Sequence, residues 1–482
     1  MKTGKDLLRE IESWPIEAKD DDTGRYFFEI AELQAILEGK KNYVIGRKGT
    51  GKTSIAEHLR NYQQTNYFAE KLTFKNFPFN ILYELRDSSY TSPNQYITIW
   101  KYVIYSAVCK MMSANESLPS EVRKTLKSVF PDDIETALQV HIKKFTDRSF
   151  SLGAYGFNVG IGGTAASQFE SEWTNRVSIL ESFISSKIDT SHYMVVFDEL
   201  DEDYKDIFGD TKRSASYFDL LTSLFKACQD IRNVSKKARA NIVPVIFLRS
   251  DVYELLRDPD KNKWRDRAVD LTWTKHSLRN LFAYRVSRAM DAAGQILSAD
   301  QAWSAISNVS TMRYGSRSDR KEDGFSYLLR STFLRPRDVV SYVRECAKAA
   351  LTSGKIRIDV PTIKAAELAH SAFARREVID EVHSALSDID EILDIFSDIR
   401  KSIFPIQEFK VHYERYLRSK PSERSDGLTF DKILEVLFHF SVIGNITTGQ
   451  HQIFRYNSDR ARFNFSEQIC IHRSLLKNFE IY

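Results

Sequence analysis

Eight consecutive residues, Gly46-Arg47-Lys48-Gly49-Thr50-Gly51-Lys52-Thr53, match G-x-x-x-x-G-K-[ST] without a mismatch. Glycines at these positions let backbone N–H groups turn inward and cradle phosphate oxygens. The Lys52 ammonium reaches the β/γ-phosphates of a bound nucleotide, and the Thr53 hydroxyl can ligate Mg²⁺. A short apolar run, Asn42–Ile45, precedes the loop, and a helical pattern from Ser54 to Tyr62 follows it. Such a helix start aims the positive end of its dipole at the same anion, with Ser54 in its first turn. A strand–loop–helix context of this kind demands an α/β fold whose nucleotide lies at one end of a parallel sheet. A chance glycine-rich turn is the competing reading, and the flanking strand and helix argue against it.

Two near-continuous apolar runs supply the inner strands of that sheet. They are Tyr193–Phe197 and Ile242–Leu248, separated by a helical stretch over Ser214–Ile231. Runs without alternation fit parallel strands buried on both faces. The first run ends in Asp198-Glu199. Asp198 is expected to support Mg²⁺ and Glu199 to orient and deprotonate an attacking water. Asp201, Glu202 and Asp203 extend the acidic run, and for Glu202 and Asp203 a solvated loop is the expectation. The second run ends in Arg249, placed to sense the terminal phosphate or simply to sit at the surface as a strand-end arginine. A third short run, Ala268–Trp273, is expected to close the sheet.

Four units are expected: a helical lead-in over 1–40, a P-loop α/β domain over 41–273, a helical lid over 274–403 and a C-terminal unit over 404–482. A Gly-rich stretch near 149–165 reads as a ribbon inserted into the second unit. From Thr274 to about Ile403 the i, i+3, i+4 rhythm makes the pattern almost wholly helical. Arg335-Pro336-Arg337-Asp338 opens one of those helices, with Pro where helices accept it. Arg335 or Arg337 reaching onto the nucleotide would couple the domain angle to its phosphate state. The alternative is a plain helix start whose Asp338 suits the dipole. Arg265 and Arg267 are candidates for an arginine finger offered to a neighbouring copy. In the last unit, a helix over Leu428–Phe440, Gly444 and β-rich stretches around Ile453–Tyr456 and Phe463–Ile471 follow the order of a winged helix.

The order of these features resembles the AAA+/STAND branch of P-loop ATPases. The chain looks like bacterial P-loop ATPases carrying GRKGTGKT at Gly46–Thr53, DELD at Asp198–Asp201 and RPRD at Arg335–Asp338. It also resembles origin-recognition ATPases, whose winged helix touches duplex DNA. The resemblance covers roughly Asp20 to the C-terminus. It implies ATP with Mg²⁺ as cofactors, an ATPase acting as a molecular switch, and a homo-oligomer. A role in antiphage defence or DNA maintenance through a protein partner or effector is part of the same implication. Arg249 would then be the γ-phosphate sensor, and Arg337 or Arg335 the lid arginine. Relatives near the origin-recognition group usually have a small polar residue where Arg249 stands, which favours the STAND side. The inserted ribbon does not map onto the minimal fold.

Composition sets bounds on these readings. A net charge of +4 over 482 residues excludes a polybasic nucleic-acid binder, so any DNA contact must come from a local patch. In 401–482 there are 12 Lys or Arg against 9 Asp or Glu. Arg455, Arg460, Arg462 and Arg473 fall near the expected wing, so duplex DNA and protein are both open as its partner. No apolar run reaches the ~18 residues of a membrane span, and the first residues lack a signal-type apolar stretch. With four scattered cysteines and no C-x-x-C spacing, a cytoplasmic, disulfide-free and membrane-free protein is expected. A DNA-binding ATPase that recognises a duplex through the winged helix is the second reading. A small-molecule kinase is the third, disfavoured by the long helical region and the C-terminal unit.

Overall fold

The computed structural model describes residues 2–74, 82–83, 92, 94–130, 173–201, 212–291, 294–314, 320–419, 428–458 and 460–481. The expected ribbon near 149–165, with Glu202 and Asp203, lies outside the described residues. At the centre is a five-stranded sheet in the order β2-β3-β4-β1-β5. Its strands are β1 (Tyr43–Gly46), β2 (Tyr67–Thr73), β3 (His192–Asp198), β4 (Asn241–Arg249) and β5 (Ala268–Asp270). Every pairing is parallel. The fold is therefore α/β with a parallel P-loop sheet, as the sequence predicts.

Alternate residues of the apolar strands feed two separate cores, which is why the runs show no polar positions. Tyr43, Ile45, Tyr193, Val195, Phe197 and Ile246 face the helices Ile97–Ala114 and Lys212–Lys237. Val44, Met194, Val196, Val245 and Phe247 face the helix Lys52–Asn61 and residues Leu33–Leu37. Because all strands run the same way, their C-terminal ends share one edge. In register, Gly46 of β1 pairs with Arg249 of β4, and Thr73 of β2 pairs with Asp198 of β3. That register sets the P-loop, the acidic strand end and Arg249 side by side.

The lead-in packs with two other units rather than standing alone. Leu7, Leu8, Ile11 and Trp14 enter the core of the helical region, and Phe27 and Ile36 enter the sheet's second core. The helical region contains Lys275–Ala289, Ala299–Ile306, Pro336–Thr352 and Val360–Val382. It also holds a two-stranded antiparallel hairpin, Thr311–Tyr314 with Arg320–Asp323, where the sequence reading expects helix. The first strand buries only Met312 and leaves Thr311 and Arg313 exposed. One alternation is too short to stand out among helical flanks.

The core of the C-terminal unit also draws on residues upstream of 404. The helix Ile389–Ile399 contributes Ile392 and Phe396 to a core with Phe404, Phe409, Leu437 and Phe479. The helices Ile406–Ser419 and Phe430–His439 follow. Four short antiparallel strands, Ile403–Phe404, Ile443–Ile446, Gln452–Ile453 and Gln468–Ile471, complete it. The expected helix is present, but Gly444 lies inside the strand Ile443–Ile446, Arg455–Asn457 is a single 3-10 turn, and only Gln468–Ile471 of the last expected β stretch is a strand. The spacing of Phe438, Phe440, Phe454, Tyr456, Phe463 and Phe465 predicts core positions; the first five pack into or against the unit's cores, whereas Phe465 is 44% exposed. Among the described residues, no helix is long and apolar enough to cross a membrane. All four cysteines are free and buried.

Candidate functional site

A cavity of about 880 Å³ lies at the C-terminal edge of the sheet, where the three parts of the molecule meet. Lys48, Gly49, Gly51, Lys52, Thr53 and Ser54 form its floor. Asp198, Glu199, Asp201 and Arg249 come from the ends of β3 and β4. Pro15–Ala18 of the lead-in, Arg337 and Val340 of the helix Pro336–Thr352, and Glu377 and Asp380 of the helix Val360–Val382 make the walls.

The loop has the backbone that a phosphate cradle requires. Gly49 (φ +80°) and Gly51 (φ +98°) are left-handed, a conformation side chains rarely adopt. A Cβ on Gly49 would also stand 3.3 Å from the Arg337 side chain. Lys52 folds over the loop and donates from Nζ to the carbonyls of Gly46 (2.8 Å) and Arg47 (3.0 Å). Burial pushes its ammonium below the ordinary value, while Asp201 pulls it back. Thr50 donates to the Arg47 carbonyl at 2.8 Å and accepts from Trp273 Nε1 through its own carbonyl at 2.9 Å. Thr50 therefore shapes the loop from behind, as does the buried Gly46.

Asp198 is almost fully buried and paired with Lys71 Nζ at 3.1 Å; Lys71 also reaches Glu57 Oε1 at 2.7 Å. Burial raises the Asp198 pKa, and Lys71 opposes the rise. Glu199 occupies the left-handed region (φ +59°), a conformation uncommon outside glycine. Its carboxylate turns back to accept from Thr73 Oγ1 and from Lys19 Nζ, the latter at 2.9 Å. Burial works to raise its pKa, but these two donors hold it below the ordinary carboxylate value. Ionised, Glu199 can accept a hydrogen bond from water, while the lowered pKa makes it a weaker proton acceptor.

The arginines divide. Arg249 is buried and bidentate with Asp251 (3.1 and 2.6 Å), with Asp201 3.6 Å away. Those carboxylates raise its pKa against the effect of burial. Arg337 lines the cavity and donates to Glu377 at 2.9 Å. Arg335 does not reach the cavity wall. Its guanidinium is enclosed, paired with Asp338 (3.1 Å) and Glu381 (2.9 Å), and donates to the Lys48 carbonyl at 3.2 Å. Of the two candidates for a lid arginine, the structure brings Arg337 to the site and uses Arg335 beneath it. Arg47 likewise points away from the cavity, its guanidinium over the rings of Phe333 (5.9 Å) and Tyr456 (5.8 Å). Arg267 bonds to the carbonyls of Gly39 and Lys40 and to Asn42, whereas Arg265 is 72% exposed.

Lys19, Lys71, Thr73, Glu377 and Asp380 belong to the site and carry no motif. Thr73 joins them as the last residue of β2, paired in register with Asp198. The donor set suits a magnesium nucleotide: a glycine-lined cradle at a helix start, a hydroxyl at Thr53 and a buried carboxylate at Asp198. Among the described residues no cluster of three or more His, Cys, Asp or Glu could hold a metal ion without such a ligand.

Residues 276–379 match the family model described as the FunZ-associated C-terminal helical domain. No curated protein matches the chain. The Aeropyrum pernix ORC1 protein, solved in complex with DNA, is similar at 12% identity and a TM-score of 0.36, over 98% of this chain and 90% of its own. The A. pernix ORC2 protein, in ADPNP–ADP complexes, gives 10% and 0.40, over 93% and 90%. Cdc6p of Pyrobaculum aerophilum gives 11% and 0.31, over 93% and 90%. Similarity this distant does not carry function to the chain.

Proposed function

We propose that the chain is an ATP-binding and ATP-hydrolysing switch of the AAA+/STAND type with an origin-recognition-like build. One observation carries this reading: Lys52 and Thr53 face Asp198, Glu199 and Arg249 across a single cavity, with Arg337 of the helical region on its rim. Lys52 and the loop amides would hold the phosphates, and Thr53 and Asp198 would hold Mg²⁺. The metal, when bound, neutralises charge on the phosphate oxygens. Glu199 orients water, and Arg249 and Arg337 respond to the terminal phosphate. The P-loop domain spans about 41–273, the helical lid about 274–403 and a winged helix the remainder. The cellular setting, antiphage defence or DNA maintenance through a protein partner, rests on the resemblance alone. Exposed Arg265 is the finger that a neighbouring copy in a homo-oligomer would receive.

Titrating the full chain with ATP and Mg²⁺, and measuring released phosphate, tests the reading. Wild type is expected to bind and hydrolyse, and Lys52→Ala to lose both. Equal binding and turnover in the two proteins would refute it.

A second reading, duplex recognition by the C-terminal unit, draws on the exposed Arg460 and Arg462. Duplex binding that weakens with salt and with Arg460→Ala/Arg462→Ala supports it. No binding at low salt removes it.

A further inference from the structure

Lys52 bonds to loop carbonyls, but three other cations at or beneath the cavity, Arg335, Arg337 and Lys48, lie against carboxylates from one face of one helix. Glu377, Asp380 and Glu381 stand at i, i+3 and i+4 on the helix Val360–Val382, which makes them neighbours on its surface. Glu377 takes Arg337 at 2.9 Å, Asp380 lies 3.8 Å from Lys48, and Glu381 takes Arg335 at 2.9 Å. The Glu381 carbonyl also accepts from Arg249 at 3.4 Å. Glu377 and Asp380 line the cavity itself.

The helix is continuous with the C-terminal unit. Val378 and Val382 enter the core that contains Ile389, Phe396 and Phe409. His383, Ser384 and Ser387, just past the helix end, line the same cavity. Beyond the loop, that unit touches the P-loop domain again, through Tyr456 on Arg47 and through Arg455 on Glu254 at 3.0 Å. Whatever moves the acidic face therefore pulls on the unit's second contact.

We propose that Glu377 and Asp380, on this face, form an internal anion that competes with the nucleotide polyphosphate for Arg337 and Lys48. A polyphosphate and this face carry the same sign and seek the same cations, so the nucleotide must displace it. Displacement frees the helix and shifts the C-terminal unit off Arg47 and Glu254. The inference rests on the ATP reading and adds how binding is coupled to that unit.

The test uses the full chain with Glu377→Gln and Asp380→Asn combined, neutral residues of nearly the same shape. ATP affinity is measured by calorimetry, and amide hydrogen exchange is followed over 452–458 with and without ATP. The variant is expected to bind ATP at least ~5-fold tighter, the low end of usual coupling between sites. Wild-type exchange over 452–458 is expected to rise with ATP. Asp380→Asn alone, from a carboxylate 64% exposed, is expected to shift affinity the same way and serves if the double variant does not fold. Unchanged or weaker ATP binding in a folded variant overturns the proposal while leaving the ATP reading standing. Absence of ATP binding in wild type overturns both.

Discussion

Lys71 Nζ lies 3.1 Å from Asp198 Oδ2 and 2.7 Å from Glu57 Oε1, in a pocket where the Lys71 and Asp198 side chains are only 4% and 3% exposed. One ammonium from β2 thus compensates a carboxylate from β3 and one from the P-loop helix. Removing one member of a buried ion pair typically costs ~3–5 kcal/mol, because the other stays charged without a partner. Lys71→Met is expected to destabilise the sheet domain by about that amount in urea titration. A change below ~1 kcal/mol would mean that water or relaxation replaces the lysine.

Glu199 is held by Thr73 and Lys19 and stays ionised, so a neutral isostere should remove its chemistry and spare the fold. Glu199→Gln is expected to slow phosphate release by ~10²–10⁴ with ATP affinity near wild type. Loss of affinity with retained turnover per bound ATP would assign the residue to binding instead.

Arg335 and Arg337 are two residues apart and should fail differently. Arg335→Ala leaves Asp338 and Glu381 buried without their cation, at ~3–5 kcal/mol of stability. Arg337→Ala removes a cavity-wall cation that is 18% exposed and should weaken ATP binding ~10-fold with a smaller loss of stability than Arg335→Ala. Thermal unfolding and nucleotide titration on the two variants separate the roles; reversed phenotypes would reverse the assignment.

His472 is enclosed between the Phe333 ring (4.0 Å) and Ser474, and burial pushes its pKa from 6.5 down to about 3. The folded state keeps it neutral, whereas the unfolded chain takes up a proton below 6.5. Its stabilisation is therefore complete above pH 6.5 and falls as pH drops towards 3. By pH 5 the loss is ~2 kcal/mol. Thermal unfolding at pH 7.5 and 5.0 should show this slope, and His472→Gln should reduce it, with His58, His192, His370 and His439, also lowered by burial, supplying the rest. An equal slope in the variant would place the titration elsewhere.

Local pattern was enough for the inner apolar strands and the loop, though not for the edge strand Tyr67–Thr73, whose first four residues are only half-buried. A run such as Met194–Phe197 has no polar position because both faces are covered, and Gly49 and Gly51 announce positive φ. Parallel register then brings Gly46 beside Arg249 and Thr73 beside Asp198, so the motif-bearing residues converge without further information. The one-alternation hairpin at Thr311–Tyr314 fell below what periodicity can register.

Charged partners carry no such mark. Lys19 and Glu199 are 180 residues apart, and Arg337 and Glu377 are 40 apart on different helices. A lysine or glutamate on an amphipathic segment reads the same whether it faces water or a cavity. Even Arg335 and Arg337 differ only by their angle around a helix start. Backbone preference and hydrophobic spacing act over a few residues and are written in the chain. Which carboxylate neutralises which cation depends on how separate elements pack, and that exists only once the cores have closed.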